Sequence, residues 1–162
     1  MTAVLHDPPV QYITPINVLW YTRFVNRLFS SEKIYVAQSK IPHAGRGVFA
    51  NVTFKKGDVI ERCPVIVLPE HEEQNLEKSI LATYMYFLGQ KKKRLTLALG
   101  FGSIYNHTHQ PNAMYKDKYK EAVIEFVAIK DIEKDEEITV NYSQGNKKDN
   151  SPLWFEVTRH SK

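Results

Sequence analysis

Three short stretches of this chain carry residues that could do chemistry. The densest is Asn106-His107-Thr108-His109-Gln110-Pro111-Asn112, a polar run that begins just after Tyr105 and follows an apolar stretch. Two histidines two residues apart share one face of a strand and could offer two metal ligands. No carboxylate or third histidine stands nearby, and Cys63 is the single cysteine, so a metal centre is disfavoured. The alternative is a buried polar loop whose groups bind a heterocycle or fix main chain. Such a loop is costly unless every group finds a partner. The second stretch is Ile138-Thr139-Val140-Asn141-Tyr142, a strand that ends in a tyrosine. Taken locally, a core tyrosine with a wet hydroxyl is the commoner case. The functional alternative is a phenol that orients or deprotonates an amine. The third is Gly45-Arg46-Gly47, where two glycines let the main chain come close to a ligand. It is not GxGxxG and no helix follows, so a dinucleotide phosphate site is disfavoured and a hairpin turn suffices locally.

These residues need elements to position them, and hydrophobic periodicity supplies the expectation. Residues 33–38 alternate like a strand, with Ile34 and Val36 on one face. Lys55-Lys56-Gly57-Asp58 marks a turn, with strands expected over 59–62 and, between Pro64 and Pro69, over 65–68. Over residues 70–88 the period switches: Leu76, Ile80, Leu81, Tyr84, Phe87 and Leu88 fit one helical face behind an acidic first turn, with Gly89 as the stop. Strands are expected again over 95–99, 123–129 and 138–142. Before all of these, Ile16, Leu19, Trp20, Phe24, Leu28 and Phe29 predict an amphipathic helix over 16–29, preceded by a proline-bearing arm. That helix packs on the domain in the simpler reading and forms a homodimer or partner surface in the sharper one. Many short strands with two helices make a β-dominated α+β fold.

Composition bounds the class. At 162 residues the chain is one domain with little to spare for a second. A hydrophobic share of 43% and a charged share of 25% are ordinary globular usage, which argues against wholesale disorder. Lys plus Arg is 22 and Asp plus Glu is 18, for +4, which suits anionic partners without demanding nucleic acid. No basic stripe interleaved with aromatics appears, so no specific nucleic-acid partner is expected. The run Lys91-Lys92-Lys93-Arg94 reads first as a solvated loop, with a nuclear-import tract or a phosphate patch as the functional alternative. No segment approaches the ~20 apolar residues of a membrane span. Residues 1–10 lack the apolar core of a signal peptide. A reduced, intracellular, soluble protein is the expectation.

Taken together and in order, the motifs resemble the SET domain of protein-lysine methyltransferases. Gly45-Arg46-Gly47-Val48-Phe49-Ala50 is similar to that family's first glycine motif, and Lys56-Gly57-Asp58-Val59-Ile60 to the turn that follows it. Asn106-His107-Thr108-His109-Gln110-Pro111-Asn112 is similar to its NHS-x-x-PN motif, with Thr108 for the usual serine. Asp135-Glu136-Glu137-Ile138-Thr139-Val140-Asn141-Tyr142 is similar to its GEE-[LI]-T-x-x-Y motif, with Asp135 for glycine. The resemblance covers about residues 33–157. It divides the chain into an arm and helix (1–32), a SET domain (33–145) and a zinc-free closing segment (146–162).

The resemblance implies small curved sheets with a C-terminal pseudoknot, in which the Asn106–Asn112 segment lies beside the loop that carries Tyr142. It implies S-adenosylmethionine as cofactor and no metal. The implied cofactor-binding residues are Gly45, Arg46, Gly47, Tyr105, Asn106, His107 and Trp154: main-chain groups at the glycines for the methionine end, Asn106 for the amino group or sugar end, and the His107 main chain for adenine. Trp154 would stack near the adenine, or with Phe155 simply plug the core. Tyr142 and Tyr115 are the implied catalytic residues, and Tyr115, Val140 and Tyr142 the implied lysine channel. The implied substrate is a protein with a basic tail, a histone by preference. A nuclear location is favoured, with cytoplasm and secretion left open. The alternatives are methylation of a non-histone basic protein and a non-catalytic SET-like binding module.

Overall fold

The computed structural model describes residues 32–76, 79–89 and 94–143. The helix expected over 16–29, the cations Lys91, Lys92 and Lys93, and the closing segment 146–162 with Trp154 lie outside the described residues. The elements run β1 (Ile34–Gln38), β2 (Arg46–Ala50), β3 (Val59–Val67), α1 (Glu70–Leu76), a 3-10 turn (Ile80–Tyr84), β4 (Met85–Leu88), β5 (Arg94–Ala98), β6 (Asn106–His107), β7 (Ala113–Lys118), a second 3-10 turn (Tyr119–Glu121), β8 (Val123–Ala128) and β9 (Glu137–Val140). They form a four-stranded sheet in the order β1-β2-β9-β6 and a five-stranded sheet in the order β4-β5-β3-β8-β7.

The four-stranded sheet is built on the β1–β2 hairpin, paired antiparallel from Ile34 opposite Ala50 to Gln38 opposite Arg46. Its loop closes with Ser39 N–H donating to Gly45 O at 2.8 Å. Two loop residues, His43 (φ 65°) and Gly45 (φ 72°), are left-handed, a conformation glycine adopts without steric cost. Strand β2 pairs antiparallel with β9, and β6 adds to β9 in parallel, Asn106 opposite Thr139 and His107 opposite Val140. Before β9 the chain turns at Asp135, φ 65°, the position where the family motif has glycine. The Tyr35 hydroxyl donates to Asp135 Oδ1 at 2.8 Å and holds the side chain outward.

In the five-stranded sheet three sequence expectations are corrected. The two strands expected over 59–62 and 65–68 are one nine-residue strand, β3. It changes neighbour along its length, pairing with β8 from Val59 to Pro64 and with β5 from Val65 to Val67. A bulge between Val59 and Glu61 inserts one residue, which lets Ile60 and Cys63 both face the core although they are three apart. The single helix expected over 70–88 is instead α1, a 3-10 turn and strand β4. Its last residues alternate, Tyr86 and Leu88 buried and Phe87 exposed, and period two wins because Met85–Leu88 has a hairpin partner in Arg94–Ala98. Strand β7 has no counterpart in the expectation: Met114, Lys116 and Asp117 are exposed, so its apolar signal is thin. The strand expected over 138–142 pairs as β9 and ends at Val140, with Tyr142 in the turn beyond it.

The five-stranded sheet is curved so far that its two edges meet. Tyr86 on β4 and Tyr115 on β7, at opposite edges, have ring centroids 5.0 Å apart at 80°. Gly89 N–H, just past β4, donates to Asp117 Oδ2 on β7 at 2.7 Å. Phe126 on β8 lies between them, 6.4 Å from Tyr86 and 6.3 Å from Tyr115, so the inner face of the curl is aromatic.

Candidate active site

The three chemistry-bearing stretches meet where the two sheets meet. Asn106 opens β6, Glu137 opens β9, and Gly47 lies on β2 between them and the β1–β2 loop. The Glu137 carboxylate is buried, with 7% exposure, and is satisfied from three directions. Its Oε1 accepts from Ser39 Oγ at 2.7 Å and Asn106 Nδ2 at 2.9 Å, and its Oε2 from Lys40 N–H at 2.7 Å. Asn106 Nδ2 also lies 3.0 Å from Arg46 O and 3.1 Å from Ser39 Oγ. These acceptors fix the amide's orientation and point Oδ1 elsewhere. A Cβ on Gly47 would stand 2.3 Å from Glu137 Oε1, so the close approach of main chain requires glycine there.

Asn112 works as a second clamp. It is buried, its Nδ2 donates to Glu137 O at 2.8 Å and Glu136 Oε1 at 3.0 Å, and its Oδ1 accepts from Thr139 N–H at 2.8 Å. Its own carbonyl accepts from Ile129 N–H at 2.9 Å, tying the polar loop to the end of β8. The run 106–112 is thus a partly buried polar loop, exposed at His109 and Gln110, whose buried Asn112 finds its partners on and beside β9.

Tyr142 sits against the aromatic face. Its hydroxyl donates to Tyr105 O at 2.7 Å, its N–H donates to His107 Nδ1 at 3.1 Å, and its carbonyl accepts from the Tyr115 hydroxyl at 3.4 Å. Tyr105 is itself fully buried, stacked on Phe126 at 4.1 Å, and gives its phenol proton to Glu61 Oε2 at 2.9 Å. Tyr86 gives its proton to Gly102 O at 2.5 Å. Burial pushes Tyr142 and Tyr115 each up to about 12, and Tyr86 and Tyr105 well above the usual phenol value. All four are neutral near pH 7. Having given its proton to Tyr105 O, Tyr142 can act on any further group only as an acceptor. It is therefore suited to orient an amine and not, as a phenolate, to deprotonate it.

Most sequence-expected site residues come together: Gly45, Gly47, Tyr105, Asn106, His107, Tyr115 and Tyr142 line this junction or its supports. Arg46 is exposed and takes part through its carbonyl. Val140 is fully buried in the hydrophobic core. Trp154 lies outside the described residues. Sequence reasoning passed over Glu137, Ser39, Asn112, Glu61 and Tyr86. Glu137 and Asn112 stood inside recognised motifs, whereas Tyr86 was hidden in the misassigned helix.

Residues 45–143 match the SET domain family. A histone-lysine N-methyltransferase of Schizosaccharomyces pombe, specific for lysine-37 of H3, is 33% identical over 113 residues, 69% of this chain and 71% of that protein. The chain belongs to the SET-domain family. A crystal structure of a Plasmodium falciparum protein assigned as a histone methyltransferase superposes with a TM-score of 0.57 at 32% identity, covering 71% of this chain and 96% of that one. Polycomb Repressive Complex 2 of Chaetomium thermophilum superposes with a TM-score of 0.54 at 23% identity, covering 68% of this chain and 16% of that one, and speaks for the fold alone. This SET domain is therefore a protein-lysine methyltransferase by family, and SET methyltransferases use S-adenosylmethionine.

The surface beside the glycines fits such a cofactor. A cavity of about 450 Å³ is lined by Gln38, Ser39, Lys40, Ile41, Pro42, His43 and Gly45. Gly45 has nothing within 4 Å of where a Cβ would stand, so its main chain is open to a ligand. Among the described residues Asn106 Oδ1 accepts no hydrogen bond, and the buried Glu137 carboxylate beside it sets a negative potential where a cationic ligand end would rest.

Proposed function

We propose that this SET domain methylates the ε-amino group of a lysine in a basic protein tail, a histone by preference. The observation that carries the reading is Tyr142, held at its N–H, hydroxyl and carbonyl where it packs, partly buried, on the aromatic core at the sheet junction. S-adenosylmethionine, when bound, supplies a methyl group activated by a sulfonium. Main-chain groups of Gly45, Arg46 and Gly47 would hold its amino-acid end and Asn106 Oδ1 its ammonium. The His107 and Tyr105 main chain would meet the adenine side, and Trp154 would close over it.

The chain's own part is positioning and charge. A lysine must arrive neutral although its ordinary pKa is about 10.4. The partly buried rings of Tyr115 and Tyr142, backed by the Tyr86 and Phe126 core, would desolvate it and so disfavour the ammonium. Tyr142 and Tyr115 would orient the neutral amine as acceptors, with Val140 behind the channel. The acidic first turn of α1, Glu70, Glu72 and Glu73, offers an electrostatic attraction for a basic tail. A histone substrate implies action in the nucleus.

The test is incubation of the full chain with labelled S-adenosylmethionine and separated core histones, followed by mass spectrometry of the product. Label on one lysine supports the reading. Label on none of them, with transfer to another basic protein, moves the substrate. The Tyr115 hydroxyl, large and polar within the channel, favours mono- or dimethyl product; a dominant trimethyl product contradicts that assignment.

A further inference from the structure

His107 has a side-chain contact that the cofactor reading does not use. Its main chain is fixed by parallel pairing opposite Val140, and the next residue's N–H, Thr108, donates to Val140 O at 3.0 Å. Its Nδ1 then accepts the N–H of Tyr142 at 3.1 Å. An imidazole nitrogen that accepts has no proton, so the neutral ring carries its proton on Nε2. That Nε2 is buried, without a hydrogen-bond partner among the described residues. The ring lies 5.2 Å from the Tyr142 ring and edge-on to His109 at 4.7 Å.

We propose that His107 is a positioning residue: its imidazole, unprotonated at Nδ1, holds the main chain of Tyr142 in register for turnover, and protonation at Nδ1 releases it. The inference rests on the catalytic reading of Tyr142 given above. The geometry explains why a ring is used. Tyr142 lies beyond the last paired residue of β9, where the ladder no longer supplies an acceptor for its N–H. Without His107 the hydroxyl bond to Tyr105 O would have to position that turn with one fewer main-chain tie. A protonated ring cannot accept, and it turns a donor against the Tyr142 N–H. Among the described residues the titratable groups facing the ring are His109, from its own loop, and Tyr142, from the turn after β9. Burial, and then the His109 charge, hold the imidazole below its usual range, which keeps the accepting form dominant near neutral pH.

Two variants of the full chain test this. His107→Asn keeps a side-chain acceptor near Nδ1 and cannot titrate; His107→Leu removes the acceptor. With labelled S-adenosylmethionine and core histones at pH 8, His107→Leu loses about 100-fold in kcat, the size expected for an ångström-scale misplacement. Its cofactor affinity by calorimetry changes less than about threefold, because the adenine contacts proposed there are main-chain. His107→Asn stays within about tenfold of wild type, and the wild-type to Asn ratio falls on acidification past the usual imidazole range, as the ring protonates. A His107→Leu rate within twofold of wild type, or a wild-type to Asn ratio that is flat with pH, overturns the proposal. Nitrogen-15 NMR of the native chain reads the same contact without turnover, so it separates this inference from the methyltransferase reading and survives a variant that does not fold. At pH 8 Nδ1 should give the unprotonated signal and the Tyr142 amide should be protected from exchange. A protonated Nδ1 overturns the proposal.

Discussion

Two polar regions lie side by side at the junction of the sheets and are used in opposite ways. Around Glu137 and Asn112, carboxylate, amides and main chain satisfy one another: Ser39, Lys40, Asn106 and Thr139 all close onto the two side chains. Around Tyr142, the phenols of Tyr142 and Tyr86 give their protons to main-chain carbonyls and that of Tyr105 to Glu61, within a cluster of packed aromatic rings. The first region is a lock, whose polar groups hold strands together. The second is an aromatic cluster, whose phenols are neutral and fixed and whose Tyr115 and Tyr142 are only partly buried. Polarity alone does not mark a catalytic surface; the direction in which each hydrogen bond has been spent does.

Raising the pH separates the two regions most strongly. A buried tyrosine whose folded value is near 12 stays neutral when its unfolded counterpart ionises near 10. The contribution of these buried phenols is therefore whole below pH 10 and lost as pH climbs through 12, by up to about 5 kcal/mol for Tyr142 and Tyr115 together. Urea midpoints measured from pH 9 to 12 should fall steeply, and Tyr142→Phe should flatten part of that fall. A profile unchanged in Tyr142→Phe would mean that the phenol is not buried as described.

Asn112→Ala tests the lock. It strands the Thr139 N–H and Glu137 carbonyl inside the protein, at about 3 kcal/mol for two buried groups. Chemical denaturation should give that loss; a loss under 1 kcal/mol would show the clamp to be dispensable. Gly47→Ala is the smaller effect, about 2 kcal/mol, because its methyl must displace a carboxylate that three donors hold. The same variant should weaken cofactor binding in calorimetry, through the displaced Asn106 amide.

What was legible in the sequence follows the same division. The glycine turn, the 106–112 loop and the strand leading to Tyr142 are local patterns, and each is found where the spacing put it. Asn106 and His107 pair with β9, a pairing that neither the spacing nor the resemblance names, and their side-chain partners, Glu137 and the Tyr142 N–H, could not be named from spacing either. The far side of the aromatic cluster was not legible. Tyr86 meets Tyr115 because a five-stranded sheet curls until its edges touch, a property of long-range pairing that no window of residues carries. Within residues 70–88, apolar positions also satisfy a helical period, and only the hairpin partner at 94–98 decides for a strand. Strand β7 alternates too weakly to stand out, with Met114 exposed and Tyr115 turned inward.

The central claim is that Tyr142 acts on the reaction and not on the fold. Single-turnover transfer from labelled S-adenosylmethionine to core histones, compared between wild type and Tyr142→Phe, tests it most directly, with cofactor affinity and melting followed in the same samples. The account predicts a rate lower by at least about 100-fold, with cofactor affinity within threefold and the fold retained. A Tyr142→Phe chain that transfers methyl groups at the wild-type rate would contradict it.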